Sequence, residues 1–203
     1  MKVFVTGTGT EVGKTFVACA LMRELRARGR VVLVRKPIES FDADDQGPRD
    51  SELLADAAGC SRTEVCDRQI PLAMAPPRAA ALLGMPPVLM SELVAAVPRH
   101  TEPSQWVFVE GAGGIASPIA DDGDNRDFLD VLDPDITIVV ADAGLGTVNA
   151  CTLAHAYLDA RPHFFFLNRY DASDPLHVDN RALVERLAPT AHSVRSCLNL
   201  LIP

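Results

Sequence analysis

Short apolar runs alternate with longer amphipathic stretches along the chain. The apolar runs suit buried parallel strands and lie at residues 3–5, 31–34, 106–109, 136–141 and 163–167. Patterns with helical spacing lie at residues 15–28, 50–58, 91–97, 147–158 and 179–187. This alternation predicts an α/β fold, a doubly wound and mostly parallel sheet flanked by helices.

Polar side chains directly follow the predicted strands. They are Thr6, Lys36, Glu110, Asp142 and Asn168. In a doubly wound sheet the ligand sites lie at the carboxyl ends of the strands, so these residues are expected to share one edge. Two acidic, glycine-containing stretches, residues 40–49 and 116–125, lack the ligand spacing of calcium loops and are predicted to be solvated loops.

The first strand runs into a glycine-broken loop that ends Gly13-Lys14-Thr15. A strand, a glycine-rich loop and a helix in this order are typical of a P-loop NTPase fold, in which the helix N-terminus binds phosphate. Five residues separate Gly7 from Gly13, one more than usual. Lys14 is predicted to contact the β- and γ-phosphates and Thr15 to bind magnesium. The alternative is a glycine-rich turn that only joins a strand to a helix.

Three further residues are candidates for phosphate or metal chemistry. Lys36 ends the second strand before Pro37 and can approach phosphate, although, taken in isolation, a solvated lysine at a strand end is the favoured explanation. Glu110 ends a buried strand and precedes a glycine-rich bend, where it can hold magnesium or stay solvated. Asp50 opens a predicted helix, where an aspartate is also a natural N-cap.

Composition narrows the partners. With 203 residues, 48% of them hydrophobic, the chain is expected to form one domain over residues 1–203. A formal charge of −8 argues against nucleic acid, and the lack of a signal-peptide pattern or a membrane-length apolar run predicts a cytoplasmic protein. The five cysteines are predicted to be small buried or half-buried apolar residues without a disulfide framework. No role is assigned to the histidines, which are His100, His155, His163, His177 and His192.

Several motifs, in order, resemble the ATP-dependent dethiobiotin synthetase family over most of the chain. They are Thr6-Gly-Thr-Gly-Thr-Glu-Val-Gly-Lys-Thr15, Lys36-Pro-Ile-Glu-Ser40, Asp50-Ser-Glu-Leu-Leu54, Pro71-Leu-Ala-Met-Ala-Pro-Pro77, Val109-Glu-Gly-Ala-Gly-Gly114 and Ala143-Gly-Leu-Gly-Thr-Val-Asn149. The long glycine spacing of the phosphate loop is that family's own form. The resemblance implies an enzyme of biotin biosynthesis that carboxylates 7,8-diaminopelargonic acid with carbon dioxide and closes the ring at the expense of ATP.

The resemblance also implies a role for each matching residue. Lys14 and Lys36 would contact the transferred phosphoryl group, and Thr15, Asp50 and Glu110 would hold magnesium. The nucleotide-binding residues would be Thr10, Glu11, Val12, Gly13, Lys14, Thr15, Glu110 and Asn168, with Asn168 at the base. The substrate-binding residues would be Ser40, Gly111, Gly113, Leu145, Gly146, Thr147, Val148 and Asn149, the last five acting across the interface of a homodimer.

Some positions depart from the family pattern. Glu39 and Phe41 stand where a small or uncharged residue and a glycine are usual, which predicts a narrower or more acidic substrate pocket. Arg169 follows Asn168 where the family often has an acidic residue. The chain also ends near where the family continues with a base-binding loop. The sequence therefore leaves the nucleotide preference, ATP or another triphosphate, undecided. The alternatives for function are a nucleotide-binding family member without turnover and a P-loop partitioning or metallochaperone switch. Glu52 is the alternative carboxylate to Asp50.

Overall fold

The computed structural model describes residues 1–98 and 104–202. In chain order its elements are β1 (Lys2–Gly7), α1 (Lys14–Ala27), β2 (Val31–Arg35), β3 (Ile38–Ser40), α2 (Asp50–Ala58), α3 (Arg62–Val65), β4 (Arg68–Ile70), α4 (Pro76–Leu82), α5 (Met90–Ala95), β5 (Gln105–Glu110), β6 (Pro118–Ala120), β7 (Gly123–Asp124), α6 (Asn125–Leu132), β8 (Ile136–Asp142), α7 (Thr147–Leu158), β9 (His163–Asn168), α8 (Pro175–Val184), β10 (Thr190–Ala191) and α9 (Val194–Leu201).

The main sheet has six parallel strands in the order β10-β9-β8-β1-β5-β2. The first strand lies inside the sheet, with β5 on one side and β8 on the other. The chain runs from β1 to β2 on one side of the sheet, and from β5 it crosses to β8 on the other side of β1. Such a switch point leaves a crevice at the carboxyl ends of the strands. The glycine-rich loop after β1 opens into this crevice.

Two apolar layers enclose the sheet. Side chains alternate along β1, so Phe4 packs in one layer and Val3 and Val5 in the other. The layer around Phe4 contains buried residues of α4 to α8, including Phe128, whose ring meets that of Phe4 edge-on at 5.8 Å. The other layer contains buried residues of α1, α2, α3 and α9. Helices thus cover both faces, which confirms the predicted doubly wound fold.

The five predicted strands of the main sheet are confirmed, whereas some helix limits differ. The last predicted helix, at residues 179–187, is observed as Pro175–Val184. Its start is set by Asp174, whose carboxylate accepts the N–H of Leu176, and by Pro175 at the first helical position. Helices α6 and α9 were not predicted, although Asp124 and Ser193 cap them with side-chain hydrogen bonds.

The two acidic stretches differ from each other. Residues 42–48 are exposed, as predicted for a solvated loop. The prediction is wrong for 116–125, which contains the β6–β7 hairpin. There Asp121 and Asp122 accept the backbone N–H groups of Val88 and Met90 at 2.7 and 2.8 Å, and these bonds attach the hairpin to the start of α5.

Two smaller predictions also have an outcome. All five cysteines are free, and Cys19, Cys66, Cys151 and Cys197 are buried. Burial raises the pKa of the Cys197 thiol to about 12, as expected for an unreactive apolar position. Within residues 1–98 and 104–202, no helix is both long and apolar enough to span a membrane.

Candidate active site

The loop between β1 and α1 forms a cradle for an anion. Its last residue, Gly13, precedes the helix with φ 95°, a left-handed conformation that glycine adopts without strain. A Cβ atom at Gly13 would lie 2.0 Å from Nδ2 of Asn168, so the position also has no room for a side chain. The first N–H groups of a helix have no partner within it, and here they are presented at the crevice.

Lys14 lies over this cradle. Its Nζ donates a hydrogen bond to the carbonyl of Gly9 at 2.8 Å, and the residue is buried. Burial lowers the pKa of Lys14, while the carboxylate of Glu110 opposes that shift. The ammonium group is thus held inside the loop, where it can neutralise a bound phosphate.

A buried group of charges lies beside the cradle. Lys36 Nζ donates to Asp50 Oδ2 at 2.5 Å and to Glu110 Oε1 at 2.7 Å. The hydroxyl of Thr15 donates to the same Glu110 oxygen at 2.9 Å, whereas Glu110 Oε2 is buried with no hydrogen-bond partner among the described residues. The carboxyl end of β5, the residue after β2 and the first residues of α1 and α2 therefore meet at one point.

Burial and charge act in opposite directions on these groups. Burial favours the neutral amine of Lys36, but the carboxylates of Glu110 and Asp50 outweigh it and raise the pKa of Lys36. Burial raises the pKa of Glu110, and the Lys36 ammonium offsets part of that rise. Burial also opposes ionisation of Asp50, yet Lys36 lowers the pKa of Asp50. Lys36 is therefore the main cation that favours the ionised form of both carboxyl groups.

A cleft of about 530 Å³ extends from this charged group. Its charged and polar lining includes Thr10, Glu11, Lys14, Lys36, Ser40 and Asp50. The rest of its lining is mostly apolar or small and comprises Ala73, Met74, Ala75, Pro76, Ala112, Gly113, Ser117 and Pro118. The hydroxyl oxygen of Ser40 is buried without a hydrogen-bond partner. The cleft thus suits a ligand with a polar, reactive head and an aliphatic body.

A second cavity of about 530 Å³ lies on the other side of the phosphate loop. It is lined by Gly13, Phe16, Phe166, Asn168, Arg169, Tyr170, His192, Ser193 and Val194. The Asn168 amide donates to the carbonyl of Val12 at 3.0 Å, so this residue also supports the phosphate loop. The ring of Phe16 is 68% exposed, which leaves an aromatic face free to contact a ligand.

The structure assigns Asp50 and Glu52 to different surroundings. Asp50 is the first residue of α2, whose N-cap is Arg49, so the prediction that Asp50 caps the helix is wrong. Its carboxylate instead reaches Lys36. Glu52 accepts the N–H of Arg49 at 2.9 Å and pairs with Arg62 at 2.6 Å. Of these two carboxylates, Asp50 alone lines the cleft.

The expected narrowing or acidification of the pocket by Glu39 and Phe41 is also wrong. Neither residue lines the cleft. Glu39 is buried against Ser51, and the Phe41 ring packs under the guanidinium of Arg49, 3.7 Å from its ring centroid. Both side chains are used in packing between β3 and the start of α2.

Some predicted substrate residues lie outside the cleft. Gly113 lines it but Gly111 does not, and a Cβ atom at Gly111 would lie 2.2 Å from the side-chain oxygen of Asn125. Packing is therefore enough to explain Gly111. The segment Leu145, Gly146, Thr147, Val148 and Asn149 lines neither of the two cavities.

Sequence reasoning missed several residues of the second cavity. His192 received no role, yet it lines the cavity beside Tyr170, with 4.7 Å between ring centroids, and its Nδ1 is buried without a partner. The sequence contained one signal for Phe16. It is a large apolar residue directly after the phosphate loop, on the face of the predicted helix opposite its apolar positions. His155 and His163 hydrogen-bond to each other at 2.9 Å, away from both cavities. His100 lies outside the described residues.

Comparison with solved structures shows the fold. The signal recognition particle receptor FtsY from Elizabethkingia anophelis is 13% identical in sequence and superposes with a TM-score of 0.53 over 96% of this chain and 60% of that one. A second structure of that receptor, in complex with GDP, gives a TM-score of 0.52 at 15% identity, over 93% of this chain and 55% of that one.

Comparison by sequence shows the family. Residues 1–165 match the family model described as AAA domain. An ATP-dependent dethiobiotin synthetase BioD from Caulobacter sp. (strain K31) is 40% identical over 151 residues, and the match covers 72% of this chain and 65% of that protein, just under two thirds of its length. The protein of that name from Caulobacter vibrioides (strain NA1000 / CB15N) is 36% identical over 170 residues, 78% of this chain and 74% of its own. The protein of that name from Brachyspira hyodysenteriae is 28% identical over 193 residues, which cover 91% of this chain and 86% of that protein. With a phosphate cradle, a buried lysine between two carboxylates and these relatives, the chain belongs to the ATP-dependent dethiobiotin synthetase family.

Proposed function

We propose that the protein carboxylates 7,8-diaminopelargonic acid with carbon dioxide and closes the cyclic urea of dethiobiotin, using ATP and magnesium. The observation that carries this proposal is the form of the cleft. Its lining combines the charged Lys14, Lys36 and Asp50 with apolar side chains that include Met74 and Pro76. A vicinal diamine on an aliphatic chain has the matching distribution of polar and apolar groups. The formal charge of −8 also favours a small-molecule substrate over nucleic acid.

The reaction needs charge neutralisation and alignment. One amine attacks carbon dioxide and loses a proton, giving a carbamate. A carbamate oxygen attacks the γ-phosphorus, the bond to ADP breaks, and a carbamic-phosphoric anhydride forms. The second amine then attacks the carbonyl carbon and expels phosphate, which takes up the proton that this amine loses. Lys14 and Lys36 would stabilise the negative charge on the transferred phosphoryl group.

The residues around Glu110 fit a magnesium ion. The ion prefers oxygen ligands and is usually held by one or two carboxylates together with substrate phosphates. Thr15, Asp50 and Glu110 supply a hydroxyl and two carboxylates, and the buried Glu110 Oε2 has no protein partner. Magnesium would neutralise phosphate charge during transfer. Asp50 is the better candidate than Glu52, because Glu52 is turned to Arg49 and Arg62.

The second cavity is the proposed site of the nucleotide base. It adjoins Gly13 of the phosphate cradle and offers aromatic surface at Phe16 and Tyr170. Because the Asn168 amide nitrogen is bonded to the carbonyl of Val12, its oxygen is the atom that we expect to face the base. An amide oxygen accepts from the amino group of adenine, which supports ATP as the nucleotide.

We further propose a homodimer with the substrate carboxylate bound at the start of α7 of the other subunit. The side-chain amide of Asn180 donates hydrogen bonds to the carbonyls of Ala143 and Gly144, at 3.0 and 2.9 Å. The first N–H groups of a helix have no partner within it and can bind a carboxylate. Leu145 and Leu153 are 93% and 64% exposed, which gives this region an apolar surface suited to a partner. Residues 145–149 do not line the cleft of their own subunit. In the proposed dimer they would reach the substrate bound in the cleft of the other subunit.

Phosphate release tests the proposed reaction. We expect release to require ATP, magnesium, bicarbonate and 7,8-diaminopelargonic acid together, with dethiobiotin identified by mass spectrometry. A monoamine of the same chain length is the matched control, because it can form a carbamate but cannot close the ring. Replacing ATP with other triphosphates tests the base preference. Nucleotide binding without diamine-dependent release would instead indicate a family member without turnover or a nucleotide switch.

A further inference from the structure

Glu39 is a buried carboxylate that borders the cleft without entering it. The residue is 3% exposed and lies at the centre of β3, which pairs with β4. Side chains alternate along a strand, so Glu39 and the cleft-lining Ser40 point to opposite faces. An ionisable group so deeply buried requires compensating contacts, because its transfer from water is costly.

The contacts of Glu39 are made to the start of α2. One carboxylate oxygen accepts the backbone N–H of Ser51 at 3.1 Å, and the other accepts the Ser51 hydroxyl at 2.6 Å. Ser51 is fully buried and occupies the second position of the helix, whose N–H has no partner within the helix. Glu39 therefore caps α2 from another element, and its negative charge lies at the positive end of the helix dipole.

A bond from Arg62 fixes which end of the Gln69 amide faces Glu39. Arg62 donates to the side-chain oxygen of Gln69, which turns the Gln69 amide nitrogen towards Glu39 at 3.1 Å. An acceptor is thus required at position 39. A glutamine there would place its own NH₂ group against that of Gln69, and a rotation of Gln69 to relieve this would break its bond to Arg62.

We propose that Glu39 is a positioning residue, which acts through Ser51 to hold Asp50 at the magnesium and phosphate site. Asp50 directly precedes Ser51 and Ser40 directly follows Glu39, so the Glu39–Ser51 bonds join two walls of the cleft one residue away from each functional group. In the chain between them residues 42–48 are exposed, so apart from the contact of Phe41 with Arg49 this segment restrains Asp50 little. This inference rests on the proposed function only in taking Asp50 as a magnesium-site residue.

Magnesium-dependent nucleotide binding tests the inference without turnover. The magnesium concentration for half-maximal binding of a non-hydrolysable ATP analogue is measured by calorimetry for the wild type, Glu39→Gln and Glu52→Gln. We expect Glu39→Gln to raise it about tenfold, the size of effect found for residues that orient metal ligands. Glu52→Gln is the matched control, because it weakens a cap of the same helix without touching Ser51, and the amide oxygen of the new glutamine can still accept from Arg62, so we expect no shift. Asp50→Asn should shift the magnesium dependence at least as far as Glu39→Gln.

A rescue variant separates positioning from helix stability. In the double variant Glu39→Gln with Gln69→Glu, the amide at position 39 can donate to the carboxylate at position 69. We expect the magnesium concentration for half-maximal binding to return most of the way to the wild-type value. Equal shifts in Glu39→Gln and Glu52→Gln, or a lowered Tm with unchanged magnesium dependence, would overturn the inference. If Glu39→Gln does not fold, Ser51→Ala removes one bond and should give a smaller shift in the same direction; no shift would count against the inference. Absence of diamine-dependent turnover in the wild type refutes the proposed function alone, since the binding assay does not use it.

Discussion

At the scale of residues, the two candidate catalytic lysines occupy different environments. Lys14 donates to the backbone of its own loop, at Gly9. Lys36 is 4% exposed and is bonded to two carboxylates, Asp50 and Glu110. Removing a charge from a buried pair leaves its partner uncompensated, so the same substitution has a different structural cost at the two positions.

We predict that Lys14→Ala and Lys36→Ala both lose turnover, but that Lys36→Ala alone is strongly destabilised. Its loss of unfolding free energy in urea should be roughly 3–5 kcal/mol at neutral pH, because the Glu110 carboxylate stays buried without its cation. Lys14→Ala should unfold near the wild-type midpoint. Equal midpoints for both variants would contradict the buried arrangement of Lys36.

The destabilisation of Lys36→Ala should depend on pH. Burial raises the pKa of Glu110, and without Lys36 that rise is opposed by the more distant charge of Lys14 and the hydrogen bond from Thr15, while Asp50 adds to it. A carboxyl whose folded pKa exceeds its unfolded value favours folding when it is protonated, so the deficit should shrink towards pH 5 and grow as pH rises through the folded pKa. Adding Glu110→Gln to Lys36→Ala removes the more deeply buried carboxyl and should recover much of the stability and reduce the pH dependence, leaving only the part due to Asp50.

At the scale of elements, the phosphate loop and β9 are fitted to each other. The Asn168 side chain lies against the Cα of Gly13 and bonds the carbonyl of Val12. Arg169, next in the chain, donates to the carbonyl of Glu11 at 3.1 Å and pairs with Asp142 at 2.7 Å. The loop is therefore held from the side of the second cavity by two residues at the end of one strand.

We predict that Gly13→Ala disrupts the loop whereas Gly9→Ala is tolerated. An alanine at 13 would combine a left-handed backbone with a collision at Asn168, but a Cβ atom at Gly9 meets no other atom within 4 Å. Nucleotide affinity and Tm should both fall in Gly13→Ala and change little in Gly9→Ala. Pairing Gly13→Ala with Asn168→Ala relieves the collision but also removes the Asn168–Val12 bond, so it should recover only part of the lost Tm while the backbone strain persists. Full recovery of the Tm would show that the collision alone was responsible.

At the scale of the whole molecule, the candidate site draws on distant parts of the chain. The strand order places β1, β5 and β2 side by side, so Lys14, Lys36 and Glu110 converge although the last is 96 residues from the first. The start of α7 lies apart from this group, with Leu145 almost fully exposed. If the proposed homodimer forms, it completes the site with the same surface from each subunit.

We predict that two inactive variants restore activity when mixed. Lys14→Ala lacks the phosphate lysine and Gly146→Asp blocks the start of α7. No atom of the described residues lies within 4 Å of the new Cβ, but φ at Gly146 is 90°, so the Tm of Gly146→Asp is measured to verify that the variant folds. A heterodimer then has one site with both parts intact, and random exchange should recover about a quarter of wild-type phosphate release. Each variant alone should stay inactive. No recovery after subunit exchange verified by mass spectrometry would show that substrate binds within one chain.

The sequence by itself determined the elements whose signals are local. Alternating apolar runs predicted the five strands beside the helices, because burial requires such runs whatever the neighbours are. The order of strand, glycine loop and Lys14 predicted the phosphate cradle, since the backbone geometry of such a loop depends on its own glycines. Cap signals at Asp124 and Ser193 were equally local, but they lay in stretches interpreted as loops or at the end of the chain.

Tertiary structure alone decided which polar residue faces which neighbour. Lys36 at a strand end could have been solvated, and only the adjacency of β2 and β5 together with the position of α2 buries it between Asp50 and Glu110. Glu39 looked like a pocket residue because it adjoins Ser40, yet the pleat of β3 turns it to the start of α2. Such contacts join residues far apart in sequence, so their energies depend on packing between elements, which no local pattern of the chain contains.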